Sequence, residues 1–155
     1  MKITKKYINE LSYIIIGCAI EVNKHMGPGL LESVYERCLI DELEVKGISY
    51  QSQVRIPILY KEKDLGGHLI IDILVEDLIV VELKAVDELI PIYEAQLLSY
   101  LKLTNKPKGL LINFNSTNIT KSTIPLVTKL FAELPEDNLS ELSKKQITTK
   151  FTQNT

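Results

Sequence analysis

A glutamate and a lysine, one residue apart, interrupt the otherwise apolar stretch VVELKAV at residues 80–86. Residues i and i+2 of a strand point the same way, so Glu82 and Lys84 share one face. Burying a charge is costly unless the charge is paired or binds a metal. An ion pair open to solvent would explain an isolated Glu-x-Lys triplet. An aspartate ten residues earlier, at Asp72, favours a functional role instead.

The turn between the two predicted strands decides whether the carboxylates meet. If the three residues EDL form the turn, Val75 lies opposite Ile79, and Asp72 then lies opposite Glu82. Opposed Cβ atoms in such a pair are about 5 Å apart. A two-residue turn would instead place Glu82 on the other face. Paired carboxylates therefore require the three-residue turn, which is the register that we predict.

Two facing carboxylates repel each other unless a cation lies between them. A small set of oxygen ligands suits Mg²⁺, which keeps several of its own waters. Such a metal polarises a phosphoryl oxygen and activates a water molecule. A lysine beside it orients that water or stabilises developing negative charge. Asp72, Glu82 and Lys84 therefore predict metal-assisted hydrolysis of a phosphodiester.

The elements that must hold these residues follow from hydrophobic periodicity and turn residues. In chain order, the pattern predicts helices at 5–26 and 31–46, strands at 49–60, 68–75 and 79–86, a helix at 92–104 and a strand at 110–115. Thr4 is the predicted N-cap of the first helix, and residues 61–67 form a predicted turn. Residues 122–134 are either a strand followed by a helix or mostly helix. The order indicates an α/β domain with a mixed sheet.

The strand at 79–86 is apolar on both faces, which favours a central position in the sheet. Pro57 indicates an edge position or a bulge for the strand at 49–60. Cys18 and Cys38 belong to no Cys-x-x-Cys or Cys/His cluster and are expected to be reduced thiols.

Asp72 and the triplet Glu82-Leu83-Lys84, between a hairpin and a helix, resemble the signature of the PD-(D/E)XK nuclease superfamily. Upstream, Gly29, Glu32 and Tyr35 resemble the motif of the GxxExxY protein family. The resemblance extends over roughly residues 10–116. It implies a restriction-endonuclease-like α/β fold: an αβββαβ core with a mixed central sheet flanked by helices and an extra N-terminal helix.

The resemblance also implies roles for individual residues. It makes Lys84 the catalytic lysine, with Glu32 and Gln96 assisting. It also implies a bound Mg²⁺, for which Mn²⁺ substitutes. The implied metal ligands are Asp72, Glu82, the Leu83 carbonyl and Glu32. Gln96 and Tyr100 resemble a Gln-x-x-x-Tyr element, and their spacing of four puts both on one helix face. Tyr100 and Lys102 are expected to contact nucleic acid.

Two of the residues in this resemblance also have structural interpretations. Glu32 equally suits the positive N-terminal end of the second helix. Tyr35 is expected to pack and hydrogen-bond rather than to act on a substrate.

Charge and composition indicate the type of partner, the extent of the domain and the location of the protein. The net charge of −2 does not suit a non-specific nucleic-acid binder, although it does not exclude a nuclease. We expect one domain at residues 1–134 and a polar, partly disordered tail at 135–155. No apolar run reaches the roughly 18 residues of a membrane span, and no signal-peptide pattern follows the first lysines, which favours the cytoplasm.

The function predicted from the sequence is that of a metal-dependent nuclease, with DNA favoured over RNA as partner and with a homodimer possible. The alternative is an inactive module of the same fold that binds nucleic acid or a protein.

Overall fold

The computed structural model describes residues 2–137, which form a mixed sheet with helices on both faces. Its elements are α1 (Lys5–Met26), α2 (Glu32–Val45), β1 (Tyr50–Tyr60), β2 (Lys63–Val75), β3 (Ile79–Lys84), α3 (Pro91–Thr104), β4 (Lys108–Asn113), β5 (Thr123–Val127) and α4 (Lys129–Ala132). The predicted α/β class and the αβββαβ order are confirmed.

The strands follow one another across the sheet in the order β1-β2-β3-β4-β5. All neighbouring strands are antiparallel except β3 and β4, which are parallel and are connected through α3. A parallel pair needs such a crossover because a tight turn cannot connect its ends. As predicted, β3 is central and β1 is an edge strand, with an irregularity between Pro57 and Leu59.

Two apolar cores explain why β3 is apolar on both faces. Ile79, Val81 and Leu83 belong to the core that α1 and α2 cover, which we call the α1/α2 core. Val80 belongs to a smaller core with Leu97 of α3, which we call the α3 core. Because both faces of β3 are buried along Ile79–Val81, its charged side chains lie at the end of the strand, at Glu82 and Lys84.

The first helix begins where the sequence predicts. The Thr4 hydroxyl accepts a hydrogen bond from the backbone N–H of Tyr7 at 3.1 Å, which satisfies one free donor of the helix N-terminus. Near the end of the described residues, the carbonyls of Pro135 and Glu136 accept hydrogen bonds from the backbone N–H groups of Lys5 and Lys6 at 2.8 and 3.2 Å. Residues beyond 137, on which most of the predicted tail falls, lie outside the described residues.

The predicted turn at 61–67 is too long. The reversal needs only Lys61 and Glu62, whose φ angles of 50° and 67° are those of a tight two-residue hairpin turn. β2 therefore begins at Lys63, and Gly66 and Gly67 lie within it. These glycines suggested a turn, but they adopt positive φ angles inside the strand.

In residues 122–134, the alternative of a strand followed by a helix is correct.

Within residues 2–137, no helix combines the length and the apolar character that crossing a lipid bilayer requires.

Gly109 of β4 lies where α3 packs closest to the sheet. A Cβ atom at this position would come within 3.0–3.1 Å of the side chains of Leu97 and Leu101. We expect Gly109→Val to lower the free energy of unfolding by about 1–3 kcal/mol, because overpacked cores must distort. Urea denaturation measures this change.

Gly17 provides the control for this substitution. It lies in α1, and an added Cβ there would meet nothing within 4 Å. Gly17→Ala should raise the free energy of unfolding by about 0.5–1 kcal/mol. A Gly109→Val variant as stable as the unmodified protein would show that α3 does not depend on this close approach.

Candidate active site

The candidate site begins where the hydrogen-bonded pairing of β2 with β3 ends. The paired residues are Val75 with Ile79, Leu74 with Val80, and Ile73 with Val81. This is the register predicted from a three-residue turn. The next two residues along the strands are Asp72 and Glu82, so both carboxylates lie at the point where the strands separate, which we call the fork.

At the fork, carboxylates replace the backbone carbonyls as hydrogen-bond acceptors. The backbone N–H of Leu83 donates to Oδ2 of Asp72 at 2.9 Å. In return, the backbone N–H of Asp72 donates to Oε1 of Glu82 at 3.2 Å. Each strand thus gives one N–H group to an acid of the other strand. The exchange fixes both carboxylates close together without leaving these two partly buried donors unpaired.

The electrostatics of this pair favour the uptake of positive charge. Burial, reinforced by the negative charge of Asp72, raises the pKa of Glu82 to about 8. Burial also raises the pKa of Asp72, while the hydrogen bond from Leu83 and the charge of Lys84 act in the opposite direction. Two acids that resist ionising together ionise readily when a cation lies between them.

This donor set fits a hard divalent cation. Mg²⁺ is commonly held by one or two carboxylates and keeps several of its waters. Asp72 and Glu82 supply such a pair. The backbone carbonyl of Leu83, the residue between Glu82 and Lys84, is a third candidate oxygen ligand. Among residues 2–137, no three His, Cys, Asp or Glu side chains form a cluster that could hold a metal alone. Glu32 therefore does not join the pair in such a cluster.

An open cleft of about 630 Å³ adjoins the fork, and Glu32, Glu36, Gln53, Asp72 and Leu83 all line it. Glu32 is the first residue of α2 and is exposed, so both interpretations of it agree with its position: it lies at the helix N-terminus and at the cleft.

Tyr35 holds the segment that leads into α2, as its predicted packing role requires. Its hydroxyl donates to the Gly27 carbonyl at 2.6 Å and accepts from the Leu30 N–H at 3.1 Å. Its buried ring stacks on Phe114 with the centroids 4.9 Å apart. These contacts fix the start of α2, and with it the position of Glu32.

Sequence reasoning missed two residues of the cleft, Glu36 and Gln53. The side-chain amide of Gln53 donates to Oε1 of Glu36 at 2.7 Å. Burial raises the pKa of Glu36, and the nearby charges of Asp72 and Glu32 also raise it. The spacing of four from Glu32 could have indicated Glu36, because such residues are neighbours on a helix surface.

Gln53 has an unusual backbone conformation for a residue inside a strand. Its φ of 51° lies in the left-handed region, which is uncommon for residues other than glycine and often marks functional sites. Its neighbours pair as Ser52 with Ile73 and Val54 with Ile71, so Gln53 lies beside Asp72 on the adjacent strand. Nothing in the sequence indicates this conformation.

The alternation of faces along β2 also breaks at Asp72. Ile73 belongs to the α1/α2 core, whereas Ile71 belongs to the α3 core. In a regular strand, residues two apart face the same side. The change of face at Asp72 helps to explain how its carboxylate lines the cleft beside α2 and also bonds to β3.

Lys84 and Tyr100 link α3 to the fork. The Lys84 ammonium lies 4.5 Å from the centroid of the Tyr93 ring, and its charge partly opposes the rise in the pKa of both acids. The pKa of Tyr100 is raised by burial and by the charges of Glu82 and Asp72. Tyr100 is therefore within the electrostatic field of the carboxylate pair.

The other two predicted residues of α3 are exposed. Gln96 is exposed, one turn before Tyr100 on the same helix face. Lys102 follows Tyr100 by two residues, so it lies about 200° around the helix axis from it. Lys102 is exposed.

A mixed sheet with paired acids and a lysine at the polar end of its central strand defines a nuclease-like α/β domain. Comparison with protein-family models agrees: residues 9–124 match the PD-(D/E)XK nuclease superfamily. The match covers most of the chain, and the chain belongs to this superfamily. Comparison with curated proteins gave no match, and neither did comparison with solved structures.

Without metal, the Glu82 carboxyl should make stability depend on pH. Its pKa rises from 4.5 to about 8 on folding, so its stabilising contribution is complete below about pH 4.5 and is lost as the pH rises through about 8. In EDTA, Glu82→Gln should therefore gain stability relative to the unmodified protein as the pH rises across this range. Urea denaturation at a series of pH values measures the difference.

Glu62→Gln, at the exposed hairpin turn, is the control for loss of one carboxylate. If Glu82→Gln and the unmodified protein show the same pH dependence, the fork does not hold a destabilising charge.

Proposed function

We propose that this protein is a divalent-metal-dependent nuclease that hydrolyses phosphodiester bonds in nucleic acid, with DNA preferred over RNA. The observation that carries the proposal is the fork, where Asp72 and Glu82 exchange hydrogen bonds with the opposite strand and Lys84 follows on the face of Glu82. Membership in the PD-(D/E)XK nuclease superfamily supports it. Within that superfamily, Gly29, Glu32 and Tyr35 favour the GxxExxY family.

In this proposal, Asp72, Glu82 and the Leu83 carbonyl hold Mg²⁺, for which Mn²⁺ substitutes. The bound metal supplies Lewis-acid activation of the phosphoryl group and of water. Lys84 carries three N–H donors, which orient the attacking water or stabilise negative charge on a phosphate oxygen.

The predicted residues of α3 act on the substrate rather than on the reacting atoms. Gln96 and Tyr100 orient the nucleic-acid backbone along α3, and Lys102 contacts a phosphate further along.

Glu32 and Glu36 make the cleft wall acidic. Phosphates approach such a wall only when its charge is neutralised, so nucleic-acid binding should depend on the metal.

A second candidate is an inactive module of the same fold that binds nucleic acid or a protein. The acidic sequence pI of about 5.7 favours it, because tight nucleic-acid binders are usually basic. The two candidates differ in what Lys84 does. Binding by an inactive module should survive its removal, whereas cleavage should not.

The purified protein should cleave single- or double-stranded DNA with Mg²⁺ or Mn²⁺ and lose this activity in EDTA. Lys84→Met and Asp72→Asn should each reduce the cleavage rate by about 100-fold or more, the usual effect of losing a charge-stabilising group. Lys129→Met is the control, because Lys129 is an exposed lysine of α4. A gel assay with labelled oligonucleotides measures the rates.

Calorimetric titration with Mg²⁺ accompanies the cleavage assay. The proposal is wrong if two results occur together. The protein leaves both DNA and RNA intact, and calorimetry detects no Mg²⁺ binding that the Glu82→Gln substitution abolishes. Retained nucleic-acid affinity in Lys84→Met would then favour the inactive module.

Glu36 should matter more to the metal than Glu32 does. Glu36 is bonded to Gln53 and its pKa responds to Asp72, whereas Glu32 is exposed at the helix start. Glu36→Gln should weaken Mg²⁺ binding by about 10-fold, the lower end of the effect of residues that support metal ligands. Glu32→Gln should change it less. A larger loss in Glu32→Gln, measured by the same calorimetry, would instead make Glu32 the helix acid of the site.

A further inference from the structure

The ammonium of Lys84 is held by an aromatic ring of α3. Its Nζ lies 4.5 Å from the centroid of the Tyr93 ring, well within the distance at which a ring face attracts a cation. Pro91 begins the helix, and the Tyr93 N–H donates to the Ile90 carbonyl at 3.1 Å. The half-buried ring of Tyr93 packs against the α3 core, so the ring is itself fixed.

The backbone end of Lys84 is fixed as well. Lys84 pairs with Asn113 of β4, and its carbonyl accepts a hydrogen bond from the Phe114 N–H at 2.8 Å. A lysine side chain retains several rotatable bonds and about 2 kcal/mol of rotamer entropy. The ring of Tyr93 therefore restrains the part of Lys84 that the sheet cannot restrain.

A neutral ring suits this position better than an acidic partner would. Asp72 and Glu82 already place two acids in the fork, and a third carboxylate beside Lys84 would raise their pKa values further. A ring face attracts the ammonium without adding charge. It also forms no strong hydrogen bond with the ammonium, as a carboxylate oxygen would, so N–H donors remain available to a phosphate or a water.

We infer that Tyr93 is a positioning residue for Lys84: its ring holds the ammonium on the face of β3 that Glu82 shares, ready for the reacting phosphate. This inference rests on the proposed nuclease function. It assigns to α3 a task beyond contact with the substrate.

The chain contains its own control for the interaction. Lys61 lies 5.4 Å from the centroid of the Tyr60 ring at the turn between β1 and β2, where both side chains are exposed. This pair has the same chemistry, but it lies at the hairpin turn rather than at the fork. Removing the Tyr60 ring should therefore leave cleavage unchanged.

The test compares Tyr93→Phe with Tyr93→Leu in steady-state cleavage of DNA with Mg²⁺. Tyr93→Phe keeps a ring face and should hold kcat within about two-fold of the unmodified protein. Tyr93→Leu should lower kcat by about 10-fold, the effect expected of a lost cation–ring contact, with KM changed by less than about two-fold. Tyr60→Leu should match the unmodified protein. In a Lys84→Met background, Tyr93→Leu should cause no further loss, because the two residues act as one unit.

Nuclear magnetic resonance provides a readout that does not need activity. The ε-methylene protons of Lys84, assigned by comparison with Lys84→Met, should be shifted upfield by the Tyr93 ring in the unmodified protein and in Tyr93→Phe. In Tyr93→Leu they should move to the position of an exposed lysine. Urea denaturation of each variant establishes that the comparison is made on folded protein.

The possible results separate the two proposals. If the unmodified protein cleaves and Tyr93→Leu keeps its kcat, or if Phe and Leu cause equal losses, the inference is overturned and the nuclease function stands. Absence of the upfield shift also overturns the inference. If the unmodified protein does not cleave, the proposed function fails and the role of Tyr93 in it fails too, while the spectra still decide whether the contact exists.

Discussion

The exchange of backbone N–H groups for carboxylate oxygens at the fork is the constraint on which the site depends. Two adjacent strands can separate inside a sheet only if the N–H groups that they release find other acceptors. The Leu83 N–H finds Asp72, and the Asp72 N–H finds Glu82. The acids therefore have a structural task, in addition to the metal binding that we propose for them. The cleft opens beside Asp72, at the point where the pairing of β2 with β3 ends.

Burial supplies the electrostatic character of the site. The α1/α2 core and the α3 core cover both faces of β3, so Glu82 follows a stretch from which water is excluded. That burial is the first cause of the raised pKa values of Glu82 and Asp72. The same packing that stabilises the sheet thus makes it costly for both acids to ionise together. The Lys84 charge partly compensates for the burial, and α3 restrains that charge from outside the sheet.

The sequence predicts what depends on periodicity and on turn length. The apolar pattern locates β3 and its central position, and the three-residue turn between β2 and β3 gives the register that brings Asp72 to Glu82. Features that depend on tertiary packing escape such reasoning. The left-handed conformation of Gln53 and the change of face at Asp72 have no local sequence signal, and both shape the cleft. The contact between Lys84 and Tyr93 depends on how α3 lies on the sheet, which periodicity does not specify.

Gly109 sets how closely α3 approaches the sheet, because a glycine leaves no side chain between the helix and β4. Tyr93 is on the same helix, one turn before Leu97, which packs over this glycine. The height of the helix above the sheet therefore also sets the distance between the ring and the Lys84 ammonium. A side chain at residue 109 would push α3 away from the sheet. The Tyr93 ring would then restrain the Lys84 ammonium less, although the new side chain contacts no group of the site. Such a variant would resemble an active-site mutant in an activity screen, although its defect would lie in the packing beneath α3.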